Sequence, residues 1–159
     1  MKSVEELGWE PHTVGELDHR IVKAPYIKLR SLTEGPNGDV VYAIDLRVTQ
    51  PNTNYLSTVE LHSFEHFLLA GFRKYAPKNF ISVAPMGCQT GFYLTLLNEG
   101  DAVRIYSFYE NILNDILHAS EVPYANIREC GHFENHNLEL AKNLAKKLLE
   151  NKSSWRQVL

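Results

Sequence analysis

The chain predicts an α+β fold. The expectation is a single domain, 1–159, with a mainly antiparallel sheet, a buried central helix that bears a metal site, and further helices packed around it. Three observations carry this reading. Two alternating stretches flank Gly35-Pro36-Asn37-Gly38, which supplies the turn chemistry of a hairpin. A capped and almost wholly apolar helix follows them. Helices then separate the later short apolar runs, so the strands cannot form one uninterrupted meander.

The elements follow in order. The first 20 residues are polar, carry His12 and His19 with no clear period, and read as an ordered N-terminal arm rather than part of the core. Ile21 to Leu32 and Val40 to Val48 alternate as strands. In the second, Tyr42, Ile44, Leu46 and Val48 share one face, leaving Asp45 and Arg47 together on the other. Gln50-Pro51-Asn52 ends that strand, because proline cannot continue the ladder. Ser57 with Glu60 three residues on forms a capping box for a helix that runs to about Tyr75, before Pro77. Phe80 to Val83 and Phe92 to Leu97 read as strands joined by a glycine-shaped turn that presents Cys88. Asp101 caps a helix whose Ile105, Phe108, Tyr109, Ile112 and Ile116 recur at helical spacing. Asn126 to Phe133 reads as a last strand carrying Cys130, and Asn137 caps a closing amphipathic helix.

Composition narrows the function classes. A chain of 159 residues that is 44% hydrophobic suits one globular core. Its net charge of -3, with Lys and Arg dispersed except at Lys146-Lys147, argues against a nucleic-acid partner. No early segment has the apolar core of a signal peptide, and runs such as Phe67 to Ala70 are too short to span a bilayer, so the expectation is a cytoplasmic protein without membrane contact. In that compartment Cys88 and Cys130 are expected as free or metal-bound thiols rather than a disulfide.

The chemistry concentrates in His62-Ser63-Phe64-Glu65-His66. Two imidazoles four residues apart on a helix point the same way and can grip one divalent ion, and Glu65 lies at the rim of that site as an acid/base. Ionisable groups on a core helix are costly unless partnered, and a metal satisfies both imidazoles at once. A catalytic site of this kind normally takes a third protein ligand and keeps one position open. On their own the two histidines are also compatible with satisfied helix residues, and Cys88 with an inert buried thiol.

Leu17-Asp18-His19, Lys23-Ala24-Pro25-Tyr26, Asp45-Leu46-Arg47, Gln50-Pro51-Asn52, His62 to His66, Pro85-Met86-Gly87-Cys88-Gln89-Thr90-Gly91 and Cys130-Gly131 resemble, in that order, the S-ribosylhomocysteine lyase family. The resemblance covers roughly Leu17 to Glu150. It implies a homodimeric α+β enzyme that cleaves the small molecule S-ribosylhomocysteine to homocysteine and 4,5-dihydroxy-2,3-pentanedione, the autoinducer-2 precursor. It also implies one Fe(II) or Zn(II) per subunit held by His62, His66 and Cys130, with the open coordination position facing Cys88. By the same resemblance Glu65 and Cys88 are the proton carriers, and His19 and Arg47 contact substrate, Arg47 also being the cation that favours the Cys88 thiolate. His12, His118, His132 and His136 are left as surface or structural residues.

The chain departs from the family pattern around the substrate. Val14 and Gly15 stand where a serine and a phenylalanine are usual, Ser82 where an aspartate is common, and Ala84 where a serine precedes Pro-Met-Gly-Cys. A divergent paralogue with a shifted substrate or low activity is the corresponding variant reading. Two others remain open: an inverted-motif zinc peptidase taking Glu134 or Glu139 as third ligand, and a metal-binding homologue without turnover.

Overall fold

The computed structural model describes residues 2–159. Four strands, β1 (Tyr26–Glu34), β2 (Val40–Arg47), β3 (Phe80–Pro85) and β4 (Gly91–Leu97), form one antiparallel sheet in the order β1-β2-β4-β3. Three helices complete the domain: α1 (Thr58–Tyr75), α2 (Ala102–His118) and α3 (Leu138–Glu150). The α+β architecture expected from the sequence is therefore present. Among the described residues, none of the helices is long and apolar enough to cross a membrane.

The two faces of the sheet do different work. Ile27 and Leu29 of β1, Tyr42, Ile44 and Leu46 of β2, and Phe92, Leu94 and Leu96 of β4 point into one core with Phe64, Leu68 and Phe72 of α1 and Ile105, Ile112 and Ile116 of α2. Period-two alternation puts the intervening residues on the opposite face. There Tyr26 faces Arg47 across the ladder and Lys28 faces Asp45. These polar residues are buried all the same. The Lys28 amine donates to the carbonyls of Thr13 and Gly15, which ties the N-terminal segment to this face.

Helix α1 begins as the sequence indicates. Ser57 accepts from the Glu60 backbone N–H while the Glu60 carboxylate accepts from the Ser57 backbone N–H. The helix packs against β3, α2 and α3, and Ser63, Phe64, His66, Phe67, Leu68, Gly71 and Phe72 are buried. Asp101 and Asn137 cap α2 and α3 by accepting from the N–H groups of Arg104 and Leu140.

Three expectations need correction. Asn126 to Phe133 is a run of turns, not a strand. Its Asn126 side chain accepts from the Arg128 N–H and donates to Glu129, a local bonding pattern that competes with a ladder, and Ile127 is 78% exposed, so no alternating apolar face exists to pair. The first strand starts at Tyr26 rather than Ile21, whose side chain is exposed. Within the arm, Leu7 and Trp9 join the main core, and Trp9 Nε1 donates to the Gly100 carbonyl at 2.8 Å, so this segment is structural as well as polar.

Candidate metal centre and active site

His62 and His66 lie on one face of α1, and the irregular segment between α2 and α3 folds over them. His62 Nδ1 meets the Asn135 carbonyl at 3.1 Å and His66 Nδ1 meets the Pro123 carbonyl at 2.6 Å. A carbonyl only accepts, so each Nδ1 carries the proton and each Nε2 presents a lone pair. This is how metal-ligating histidines are usually oriented. The same segment delivers Cys130, whose Sγ lies 3.4 Å from His62 Nε2 and accepts from the His132 backbone N–H.

The donor set fits a divalent metal. A tetrahedral ion with a metal–sulfur distance of about 2.3 Å and metal–nitrogen distances of about 2.0 Å puts sulfur and nitrogen roughly 3.5 Å apart. The observed separations from Cys130 Sγ are 3.4 Å to His62 and 3.5 Å to His136. His62, His66, Cys130 and His136 offer ligand atoms that all lie within 4.8 Å of one another. Thiolate and imidazole donors suit zinc or ferrous iron.

His136 is the residue that sequence reasoning missed. The sequence alone offers it as a surface or structural histidine, yet its ring lies 4.0 Å from the His62 ring and 4.4 Å from that of His66, centroid to centroid. Burial and the neighbouring imidazoles push its pKa down to about 4, so it is neutral at pH 7. The signal was its position six residues after Cys130, just ahead of the Asn137 cap, which returns the chain to α1.

Glu65 sits at the rim of this cluster. Its Oε2 is 3.8 Å from His66 Nε2, and it lines a cavity with His62, His66, Arg73, Tyr124, Glu129 and Cys130. Burial raises its pKa above the ordinary carboxylate value against the opposing pull of His66 and Arg73, a shift that makes a carboxyl group better able to exchange protons near neutral pH. Glu134 and Glu139 are not among the clustered donors, which removes the ligand that the inverted-motif peptidase reading needs.

Cys88 stands in the β3–β4 turn, exposed and free, as Cys130 is also free. Burial of part of its surroundings pushes the thiol up, but hydrogen bonds from the Thr90 side chain and backbone and the charge of Arg47 outweigh that and lower its pKa. Arg47 Nη1 lies 3.9 Å from Cys88 Sγ and donates to Thr90 Oγ1 at 2.7 Å. The other branch of the guanidinium holds Asp45 at 2.7 Å, and both partners of this pair are nearly inaccessible. Gly91 faces Arg47 across the ladder, and a Cβ there would collide with the Leu46 carbonyl, so glycine is what lets β4 approach this closely.

His19 and Arg47 line a second cavity with Gly15, Tyr26, Lys28 and Tyr93. Gly15, one of the departures noted in the sequence, has φ +91°, a backbone conformation that favours glycine, and its carbonyl is held by Lys28. The cavity around the candidate metal ligands and the cavity around His19 share no residue.

An antiparallel sheet backed by a helix that offers His-x-x-Glu-His to a cysteine-bearing loop is a site of the kind that can hold a divalent metal beside an acid/base, and the relatives of this chain place it among the carbon–sulfur lyases. The family model for S-Ribosylhomocysteinase (LuxS) matches residues 14–159, and the chain belongs to that family. An S-ribosylhomocysteine lyase of Halobacillus halophilus is 45% identical over 142 residues, 89% of this chain and 93% of that protein. Counterparts with the same name from Oceanobacillus iheyensis and Helicobacter pylori are 44% and 42% identical over the same length, covering 92% and 91% of those proteins.

Proposed function

We propose that this protein converts S-ribosylhomocysteine to homocysteine and 4,5-dihydroxy-2,3-pentanedione, using one Fe(II) or Zn(II) held by His62, His66 and Cys130. The observation that carries the reading is the convergence of those three donors at ligand spacing, with Glu65 on the wall of the same cavity. The family membership and the similarly named relatives point the same way.

The reaction is proton bookkeeping around a sugar carbonyl. The carbonyl migrates along the ribose carbons by successive removal and return of protons, until a proton next to the sulfur-bearing carbon becomes acidic. Loss of that proton expels homocysteine thiolate and leaves a carbon–carbon double bond, whose tautomer is the dione. A bound divalent ion supplies Lewis acidity toward the sugar oxygens through these steps. Glu65, with its raised pKa, exchanges protons with oxygen and performs the final abstraction. Cys88, held toward its thiolate by Thr90 and Arg47, is the base for a carbon-bound proton. Arg47 and His19, which line one cavity, hold the sugar hydroxyls.

Homodimerisation belongs to the same reading. The metal cavity and the His19–Arg47 cavity have no residue in common, and Cys88 lines neither, so a second copy of the chain that brings the two groups together completes the site. The free thiols suit a reducing cytosol. Supply of the dione for autoinducer-2 signalling, alongside thioether recycling, follows from the same chemistry.

The test is anaerobic incubation of purified, metal-loaded protein with S-ribosylhomocysteine while free thiol is followed. Thiol release that vanishes in Glu65→Gln and Cys88→Ala supports the lyase, and bound metal without thiol release refutes it. Light scattering of the same sample reports the dimer, and partial activity on mixing Glu65→Gln with Cys88→Ala would show that each site draws on two chains.

A further inference from the structure

The polar face of the sheet continues past Arg47, and the reaction proposed above leaves that part unused. Tyr26, Arg47 and Gly91 form one row across the strands, beside the Cys88 turn. Lys28, Asp45, Tyr93 and Ala84 form the next row. Leu29 then faces Ile44 while Ser31 faces Ala43, so Arg30 is the extra residue of a β-bulge, a device that re-aims a side chain. The Arg30 carbonyl accepts the Gly15 N–H at 3.1 Å, which joins the N-terminal arm to this edge strand. Its guanidinium lies over the Tyr93 ring, 4.8 Å from the ring centre, and donates to the Tyr93 hydroxyl at 2.9 Å. The bulge thus brings a cation into the cavity that His19 and Arg47 line.

The three fixed cations of this cavity are not equally engaged. Arg47 is committed to Asp45 and Thr90 in a buried setting, and Lys28 spends its hydrogens on the Thr13 and Gly15 carbonyls. Arg30 pairs at 2.9 Å with Glu16, whose side chain is 84% exposed, so that pair is weak and open to exchange. Ala43, opposite the bulge, contributes only a methyl group and leaves the place beside Arg30 clear. One row of the sheet separates Tyr93 from Arg47, about 7 Å along the strands. An extended homocysteinyl arm covers that span when its sugar is held at Arg47 and His19, and the arm ends in a carboxylate.

We propose that Arg30 is a specificity-determining residue, which exchanges Glu16 for the α-carboxylate of the substrate and so selects thioethers that end in an amino acid. This rests on the lyase reading given above. A planar guanidinium matches a carboxylate edge to edge, and stacking on the Tyr93 ring holds it flat for that contact.

The test compares kcat/KM for S-ribosylhomocysteine with kcat/KM for the corresponding thioether of 3-aminopropanethiol, which lacks only the carboxylate. The wild-type protein should favour the first by roughly ten- to a hundredfold, the scale of a hydrogen bond to a charged group. Arg30→Gln should bring that preference close to one through KM, with kcat kept, because the contact is the same before and during the reaction. Arg30→Lys should restore part of it. The analogue should react equally well with the wild-type and Arg30→Gln proteins, which a merely structural role for Arg30 would not allow. Equal loss on both substrates, or a preference that survives in Arg30→Gln, overturns this inference alone and leaves the lyase reading standing. A preference that disappears in Arg73→Gln instead assigns the carboxylate to the cavity around Glu65 and likewise overturns it. Thiol release from neither substrate in the wild-type protein overturns the lyase reading, and this inference with it.

Discussion

Replacing Thr90 by valine should raise the pKa of Cys88 and cut its thiolate fraction below the midpoint by about tenfold. Thr90 is almost inaccessible, and its Oγ1 receives a hydrogen bond from Arg47 Nη1 at 2.7 Å. A guanidinium has only hydrogens to give, so the hydroxyl hydrogen remains for the Cys88 sulfur 3.0 Å away. Valine keeps nearly the same shape and removes that bond. A hydrogen bond to a charged group contributes about 1.5–3 kcal/mol, and about 1.4 kcal/mol is a factor of ten in an equilibrium, which gives about a ten- to hundredfold change in thiolate population. Cys88 is exposed, so water replaces part of what is lost and the lower figure applies. Arg47 stays 3.9 Å from the sulfur and keeps some thiolate preference in the variant. The assay is the pH dependence of alkylation by iodoacetamide, with Cys88 resolved from Cys130 by peptide mass. A midpoint unchanged in Thr90→Val, or a wild-type midpoint at or above the free-thiol value of roughly 8.5, would refute the relay from Arg47 through Thr90.

Glu65→Gln should abolish thiol release yet raise the thermal stability of the metal-free protein at neutral pH. Burial raises the Glu65 pKa, so its contribution is favourable below the ordinary carboxylate value and is lost as pH climbs through the folded-state value; calorimetry across pH 4–8 should show that slope flattened in the variant. Gly91→Ala should destabilise the fold by about 1–3 kcal/mol through the clash with the Leu46 carbonyl, seen as a lower urea midpoint, and a variant as stable as the parent would remove the close-approach argument. Leu68→Ala, at a position with no exposure between α1 and the sheet, should cost about 2–5 kcal/mol in the same titration, and a loss under about 1 kcal/mol would mean that the core is not packed as described.

The regular elements were legible because their signals are local. The Ser57–Glu60 box, the Gly35–Gly38 turn and the alternation of β2 each act within a few residues, and β2 and α1 stand within a residue or two of their expected places. His62, His66 and Glu65 were legible for the same reason, since helical spacing alone puts them together. The pairing of Asp45 with Arg47 was also visible, but its burial was not, because the cover comes from distant residues around Gly15 and Tyr26. Irregular backbone hid the rest. The segment from Ala119 to Asn137 has no period to read, so the sequence shows neither the turns that carry Cys130 nor the return of His136 to α1. Leu7 and Trp9 were missed because two apolar residues in a polar segment define no face, although they reach the core from the start of the chain.

The carbonyls of Pro123 and Asn135 grip the histidines of α1 from both ends of one loop, with Cys130 between them. That loop is therefore fastened by the very rings that could receive a metal ion, and its fastenings do not use the ring nitrogens an ion would take. Loading should resemble filling a prebuilt socket: little ordering entropy to overcome, near-superimposable empty and filled forms, and an uptake rate set by ion dehydration and diffusion instead of by chain rearrangement.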